Sequence, residues 1–354
     1  PMNKVDLKKL ALSCLALGMV FAAPSLRAND ESENEESVLV AQSDDEEAWL
    51  KARTRGIGGS DIGAICGVSP FTSARQIYLN KTGQFQDALK PGEAAQERMY
   101  FGHLLEPIVA EEYARRTGAK LVSINATLQH KDFEWALANV DRLIVDDEGK
   151  PIGILECKTT SEYNNEEWAN GDLLTSYIYQ LNWYLWILGL EKGAFACLVG
   201  GNKFYHYDVF RNDELLRDTI IPAAKSFWYD NVLALKEPEM QSADTEFADS
   251  IYSSVVKNSE IVLDDDLSND LAATIFDCKA KIKELTKTME EAQNRIKDRL
   301  KDKEIAYTKD YTIKWSPRAQ NRVDTEKLKT QFHEIYEKVL KRIEFRSMTV
   351  KGGA

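Results

Sequence analysis

The strongest constraint on the fold is a pair of apolar runs joined by a short polar turn. Trp135 to Val145 and Ile152 to Lys158 are rich in Val, Ile, Leu and aromatic residues, and Asp146-Asp147-Glu148-Gly149-Lys150-Pro151 between them has turn chemistry. The pattern predicts a β-hairpin. With the turn centred on Glu148-Gly149, a loop of two or four residues gives the same register, and Asp141 then faces Glu156. Opposed side chains have Cβ atoms roughly 5 Å apart, a separation at which two carboxylates stay ionised cheaply only with a cation between them. Lys158, two residues beyond Glu156, points to the same face. Hard oxygen ligands in a partly open site suit Mg²⁺ or Mn²⁺, and an adjacent lysine suits chemistry in which negative charge grows on an attacked phosphate. A surface hairpin with an ordinary mixture of acids and one lysine has the same spacing, so the pattern needs support from the rest of the chain.

Support comes from both sides. Leu104, Leu105, Ile108, Val109 and Tyr113 have the spacing of an amphipathic helix over Tyr100 to Tyr113, with Glu106 near its start. Tyr177 to Leu190 is apolar on nearly every side and predicts a buried helix in which Gln180 is the conspicuous polar residue. A buried Gln satisfies its amide on backbone or presents it to a ligand such as a phosphate. Glu106 as a helix-terminal acid and Gln180 as a core hydrogen-bonder stand beside the functional readings. Further upstream, Gly56-Ile57-Gly58-Gly59-Ser60-Asp61 puts flexible backbone beside a Ser/Asp pair able to cap a helix through Ile62, Ile65 and Cys66. Backbone N–H groups at a helix start bind anions, and Lys51, Arg53 and Arg55 make the entry basic. A solvated charged strip with an ordinary helix cap is the other reading. The glycine spacing is not that of a nucleotide-binding loop.

Taken together, Arg53-Thr-Arg-Gly-Ile-Gly-Gly-Ser60-Asp61-Ile62, Gly102-His-Leu-Leu-Glu106-Pro, Asn139-Val-Asp141-Arg, Glu156-Cys-Lys158 and Gln180-Leu-Asn-Trp-Tyr resemble the YqaJ-type viral recombinase family. These are phage lambda exonuclease-like nucleases of the PD-(D/E)XK superfold, and the resemblance covers Glu47 to Asn231. It implies an α/β fold, a mixed sheet flanked by helices, and a metal-dependent nuclease that resects double-stranded DNA ends, 5′ to 3′, for phage-type recombination. Glu106, Asp141 and Glu156 would be metal ligands, joined by the backbone carbonyl of Cys157 and holding two Mg²⁺ or Mn²⁺ ions. Lys158 would be the catalytic lysine. Arg53 and Ser60 match residues that bind a DNA phosphate, and Gln180 matches a polar residue near the scissile phosphate. A single-strand annealing protein is the implied partner. Val140 stands where the superfold pattern has Pro. An endonuclease of the same chemistry and a non-catalytic DNA-end or partner-binding module are the alternatives.

Composition sets the remaining bounds. The chain has 354 residues, 44% of them hydrophobic, enough for a sizeable core. Its net charge of −12 argues against indiscriminate nucleic-acid binding, yet Asp30 to Glu47 holds nine acids and no Lys or Arg, so the remainder carries only −3. DNA contact would then rest on a local basic groove and on the metal. Cysteines at 14, 66, 157, 197 and 278 form no paired motif, which excludes a zinc site of ordinary spacing. Cys157 should point away from Glu156 into the core, and His103 reads as a helix-surface residue.

The expected organisation is a signal-peptide-like leader over 1–28, an acidic disordered linker over 29–46 and the nuclease domain over 47–236. A linker over 237–267 and a C-terminal extension over 268–354 follow. The leader leaves export and the cytoplasm as alternatives, and its apolar run is too short for stable membrane insertion. In the extension, Leu271, Ile275, Cys278, Ile282, Leu285, Met289, Ala292 and Ile296 form a coiled-coil-like stripe that needs a partner, whether the nuclease body, another helix or another subunit of a homo-oligomer. A strand over Tyr307 to Trp315 and a helix over Thr325 to Ile343 close the chain.

Overall fold

Backbone pairing sorts the strands into a five-stranded sheet, a four-stranded sheet and a separate hairpin. The structure, a computed structural model, describes residues 54–352 except 86–88, 125, 343 and 344, together with the backbone of 20–21 and 37–42. Most of the leader and Arg53 lie outside the described residues. The chain divides into two compact units, residues 1–251 and 252–354.

In chain order the first unit holds β1 (Val20–Phe21), β2 (Ser37–Gln42), α1 (Gly59–Ile65), α2 (Ala74–Lys81), α3 (Glu93–Thr117), β3 (Lys120–Val122), β4 (Ala126–His130) and β5 (Leu137–Ala138). Next come β6 (Arg142–Val145), β7 (Pro151–Thr160), α4 (Asn165–Asn170), α5 (Thr175–Leu188), β8 (Lys192–Val199) and β9 (Lys203–Phe210). A helical run, α6, assembled from Asp213–Leu215, Leu216–Ile220, Ile221–Ser226 and Phe227–Leu233, and α7 (Thr245–Ile251) complete it.

The larger sheet has the order β3-β6-β7-β8-β9 and is mixed: β7 and β8 run parallel, and the other neighbours are antiparallel. The parallel step follows from the connection, because α4 and α5 lie between β7 and β8 and carry the chain back across a sheet face. Alternation along β7 sends Ile154 to the α5 side, where it packs with Leu181, Leu185 and Phe195. Leu155 goes to the other side, against Val109, Ala110 and Tyr113 of α3. Helix α5 is buried almost all round, and the Trp183 indole N–H donates to the Leu137 carbonyl at 3.0 Å, tying the helix to the smaller sheet.

Three expectations change. Helix α3 starts at Glu93 rather than near Tyr100, because Glu-Ala-Ala-Gln-Glu-Arg-Met ahead of the aromatic residues is strongly helix-forming. Glu106 is therefore mid-helix, which removes the helix-dipole reading. Within the segment read as an acidic linker, the β-prone run Val38-Leu39-Val40 lies in β2, which pairs antiparallel with β4. Residues 241–251, read as linker, pack on the first unit: Asp244 is buried and accepts from Ser73 Oγ (2.5 Å), Gln76 Nε2 (2.9 Å) and its own Gln241 N–H (2.8 Å).

The second unit holds α8 (Asp266–Leu300), a hairpin of β10 (Ile305–Tyr307) and β11 (Thr312–Lys314), α9 (Thr325–Gln331) and α10 (His333–Val339). The strand expected over Tyr307 to Trp315 is thus a hairpin, and the last helix is interrupted at Phe332. Leu271, Ile282, Leu285 and Met289 of the α8 stripe are exposed. No helix among the described residues is long and apolar enough to cross a membrane.

Gly56 explains part of the glycine-rich segment. A Cβ there would collide with the Trp135 carbonyl oxygen, which already accepts from Ile57 N–H at 2.6 Å in a parallel bridge between Ile57 and Ala136. Backbone cannot withdraw without breaking that bridge, so Gly56→Ala should cost about 1–3 kcal/mol. Gly58→Ala, whose Cβ would find Asp61 Oδ2 at an ordinary 3.7 Å, should cost under about 1 kcal/mol. Urea unfolding of both variants measures the contrast; equal stability would refute the packing argument.

Candidate active site

The hairpin turn is neither of the two expected lengths. Asp146 N–H donates to the Lys150 carbonyl at 2.9 Å, and Gly149 has φ of +85°, so Asp147-Glu148-Gly149 form a three-residue loop with glycine in the left-handed position. Asp146 Oδ1 accepts from the N–H groups of Glu148 (3.0 Å) and Lys150 (2.8 Å) and locks it. Such a loop shifts the register by one residue. A β-bulge shifts it back: Val145 pairs with Pro151, but Ile144 pairs with Gly153, leaving Ile152 as the extra residue. Beyond the bulge Arg142 pairs with Leu155, so the next step brings Asp141 opposite Glu156.

Asp141 stands just outside β6, and its Oδ2 accepts from Cys157 N–H at 2.7 Å. Glu156, 1% exposed, faces α5. Its Oε2 accepts from Lys158 Nζ (3.0 Å) and Gln180 Nε2 (3.2 Å), whereas Oε1 is buried without a partner. Gln180 also accepts from Lys158 Nζ at 3.4 Å and donates to the Tyr184 hydroxyl at 3.3 Å. Lys158 lies over the Tyr177 ring, 4.9 Å from its centre. Asp141, Glu156, Lys158 and Gln180 are thus brought together. Cys157 points the other way, toward the α3 side, and burial pushes its thiol up, which keeps it neutral.

Glu106 approaches from the α3 side. Arg142 alternates away from Asp141 to the α3 side, and its Nη1 donates to Glu106 Oε1 (2.6 Å) and to the Asp141 carbonyl (2.5 Å). Glu106 is therefore held by a guanidinium. Among the described residues no three His, Cys, Asp or Glu side chains converge closely enough to hold a metal. The sequence reading passed over Arg142 although it follows Asp141 directly; a basic residue beside an acid in an otherwise apolar run was the available signal.

The electrostatics are those of crowded acids. Burial pushes the Glu156 carboxyl up, to about 8, with the Asp141 charge adding and Lys158 opposing. Burial and Asp141 also raise Glu106, opposed by Arg142. Burial disfavours the Lys158 ammonium, but the charges of Glu156 and Asp141 overcome that and hold it above the ordinary lysine range.

Ser60 is exposed in the first turn of α1. The helix cap comes from Asp61, whose Oδ2 accepts from Gly58 N–H at 2.9 Å and meets buried Lys81 Nζ at 2.7 Å. Gly59 sits against the Tyr184 ring, where a Cβ would not fit, so the turn and α5 meet next to Gln180. His103 is exposed on α3, as expected.

The first unit is thus a mixed α/β core, a sheet with helices on both faces that carries two carboxylates and a lysine across one hairpin. The YqaJ-like viral recombinase domain matches residues 48–191. The chain is 40% identical over 307 residues to the uncharacterized protein YqaJ of Bacillus subtilis (strain 168), covering 86% of this chain and 93% of that one. It belongs to the YqaJ-like viral recombinase family. Among solved structures it is similar to an alkaline exonuclease from Laribacter hongkongensis, at 18% identity and a TM-score of 0.43, over 54% of this chain and 96% of that one. A phage related exonuclease from Haemophilus somnus 129PT gives 11% identity and a TM-score of 0.38, over 51% and 96%.

The raised Glu156 carboxyl makes a stability prediction. Its folded value lies above the ordinary 4.5, so the stability tied to its proton is complete below about pH 4.5 and is lost as pH rises through about 8. Chemical unfolding of the metal-free protein across that window should show Glu156→Gln with a flatter pH dependence than wild type. Parallel curves would mean Glu156 is not the titrating group.

Proposed function

We propose that this protein is a metal-dependent deoxyribonuclease that hydrolyses phosphodiester bonds, acting as a 5′-3′ exonuclease on double-stranded DNA ends in phage-type recombination. The observation that carries the reading is Glu156: a carboxylate buried in an apolar sheet face, one oxygen unpartnered, with Asp141 beside it and Lys158 on the other oxygen. A binding module gains nothing from acids buried where phosphate must approach. Family membership supports the same reading.

The donor set fits Mg²⁺ or Mn²⁺. Asp141 and Glu156 offer hard oxygens, and the buried Glu156 Oε1 has the free lone pairs an ion would take up. They would hold the ion with the Cys157 carbonyl, and Glu106 would complete the set for a second. A bound divalent ion supplies charge neutralisation at the phosphate and a more acidic water. The chain's own groups do the rest. The Lys158 ammonium, permanently charged between Glu156 and Gln180, orients the attacking water and offsets charge as its oxygen bonds to phosphorus and the P–O bond to the leaving strand breaks. Gln180 fixes Lys158 and Glu156 relative to each other. Ser60 and Arg53 would seat a DNA phosphate and so position the end without reading sequence.

The test uses end-labelled linear duplex and closed circular duplex, each with Mg²⁺ and with chelator. Wild type should degrade the linear substrate only, and only with metal. Asp141→Ala, Glu156→Gln and Lys158→Met should each lower the rate by at least about a hundredfold. Ser60→Ala and Arg53→Ala should raise KM most on 5′-phosphorylated ends. Cleavage of closed circles would favour the endonuclease alternative, and wild-type rates in the Glu156 and Lys158 variants would reject the site.

A further inference from the structure

The three carboxylates do not share one side of the sheet. Glu156 faces α5 with Lys158 and Gln180, whereas Arg142 pairs across from Leu155, whose side chain packs with Val109 and Ala110 of α3, and there it meets Glu106. One guanidinium nitrogen reaches both Glu106 Oε1 and the Asp141 carbonyl, so Arg142 bridges the helix bearing one acid and the backbone of another. Both partners are mostly buried, with side-chain exposures of 15% for Arg142 and 24% for Glu106, so water screens the pair only in part.

We infer that Arg142 is a resident cation that a divalent ion must displace from Glu106 before the third carboxylate can join Asp141 and Glu156. The inference rests on the metal-dependent reading of the site. Without the ion, Arg142 keeps Glu106 from facing Asp141 as an uncompensated like charge. With it, the acid changes partner. Metal loading is then competitive, and Arg142 is a positioning residue that sets ion affinity without touching the reacting atoms.

Mn²⁺ binding to the full chain by calorimetry is the test, independent of turnover. Removing a fixed positive charge next to an ion site favours the ion, so Arg142→Gln should bind Mn²⁺ on the order of tenfold more tightly than wild type. Glu106→Gln should weaken binding more in the Arg142→Gln background than in wild type, because in wild type the lost ligand is partly offset by no longer having to break its pair with Arg142. Metal-free Arg142→Gln should melt below wild type, and saturating Mn²⁺ should close that gap. Equal or weaker Mn²⁺ binding by Arg142→Gln, with an unchanged circular dichroism spectrum, overturns the inference and shows that the arginine builds the site. Should Arg142→Gln not fold, Arg142→Met, which keeps an unbranched stem but removes the charge, must bind more tightly than wild type; unchanged affinity overturns the inference equally. Absence of Mn²⁺ binding by wild type, or its persistence in Glu156→Gln, overturns the metal reading itself and the inference with it.

Discussion

Burial of the Glu156 carboxylate is the constraint on which the rest of the site depends. It sits between Ile154 and Lys158 on the strand face covered by α5, where an unpaired charge costs several kcal/mol. Three neighbours answer that cost: Lys158 as countercharge, Gln180 as donor, and Tyr184 as the group that orients Gln180. None of them satisfies Oε1. Burial pushes the carboxyl up toward its protonated form, and the apolar packing of Leu181, Trp183 and Leu185 holds the strand in place around it. A stable α/β core thereby holds in place a polar group that would not choose that position alone.

How far the site could be read from residues is clearest in the hairpin. Alternation of apolar residues and the Asp-Gly-Pro chemistry predicted two strands and placed Asp141 opposite Glu156, and the structure has both. The route differs. Gly149 selects a three-residue loop, and the bulge at Ile152 cancels its effect, two deviations that sum to the register a simpler turn would have produced. Pairing parity survives such compensation because burial of Leu143, Ile154 and Leu155 fixes which faces of the strands must turn inward. The bulge itself has no local signature beyond an exposed isoleucine next to proline.

What could not be read was set by contacts distant in sequence. The partner of Glu106 is Arg142, 36 positions away, and that pairing is decided by which side of the sheet α3 covers. The glycine-rich turn was legible as a special backbone segment, but its glycines answer packing as much as ligand approach: Gly56 against the Trp135 carbonyl, Gly59 against Tyr184, Gly63 against Ser176. Residues 241–251 looked like a linker because their anchor, buried Asp244, finds its donors on α2 across a long stretch of chain. Local pattern does not report such pairs.

The same logic connects the turn to the acids. Tyr184 touches Gly59 on one side and Gln180 on the other, and Gln180 bridges Glu156 and Lys158. Asp61, held by Lys81, fixes the N–H of Gly58 and ties the turn presenting Ser60 to α2, while Gly59 sets the same turn against Tyr184 of α5. Under the proposed function, a phosphate seated at that turn and a phosphate attacked beside Glu156 would be held at a separation set by one aromatic ring. A DNA end positioned from its phosphate needs such a rigid spacer, because the chemistry tolerates little displacement of the reacting bond.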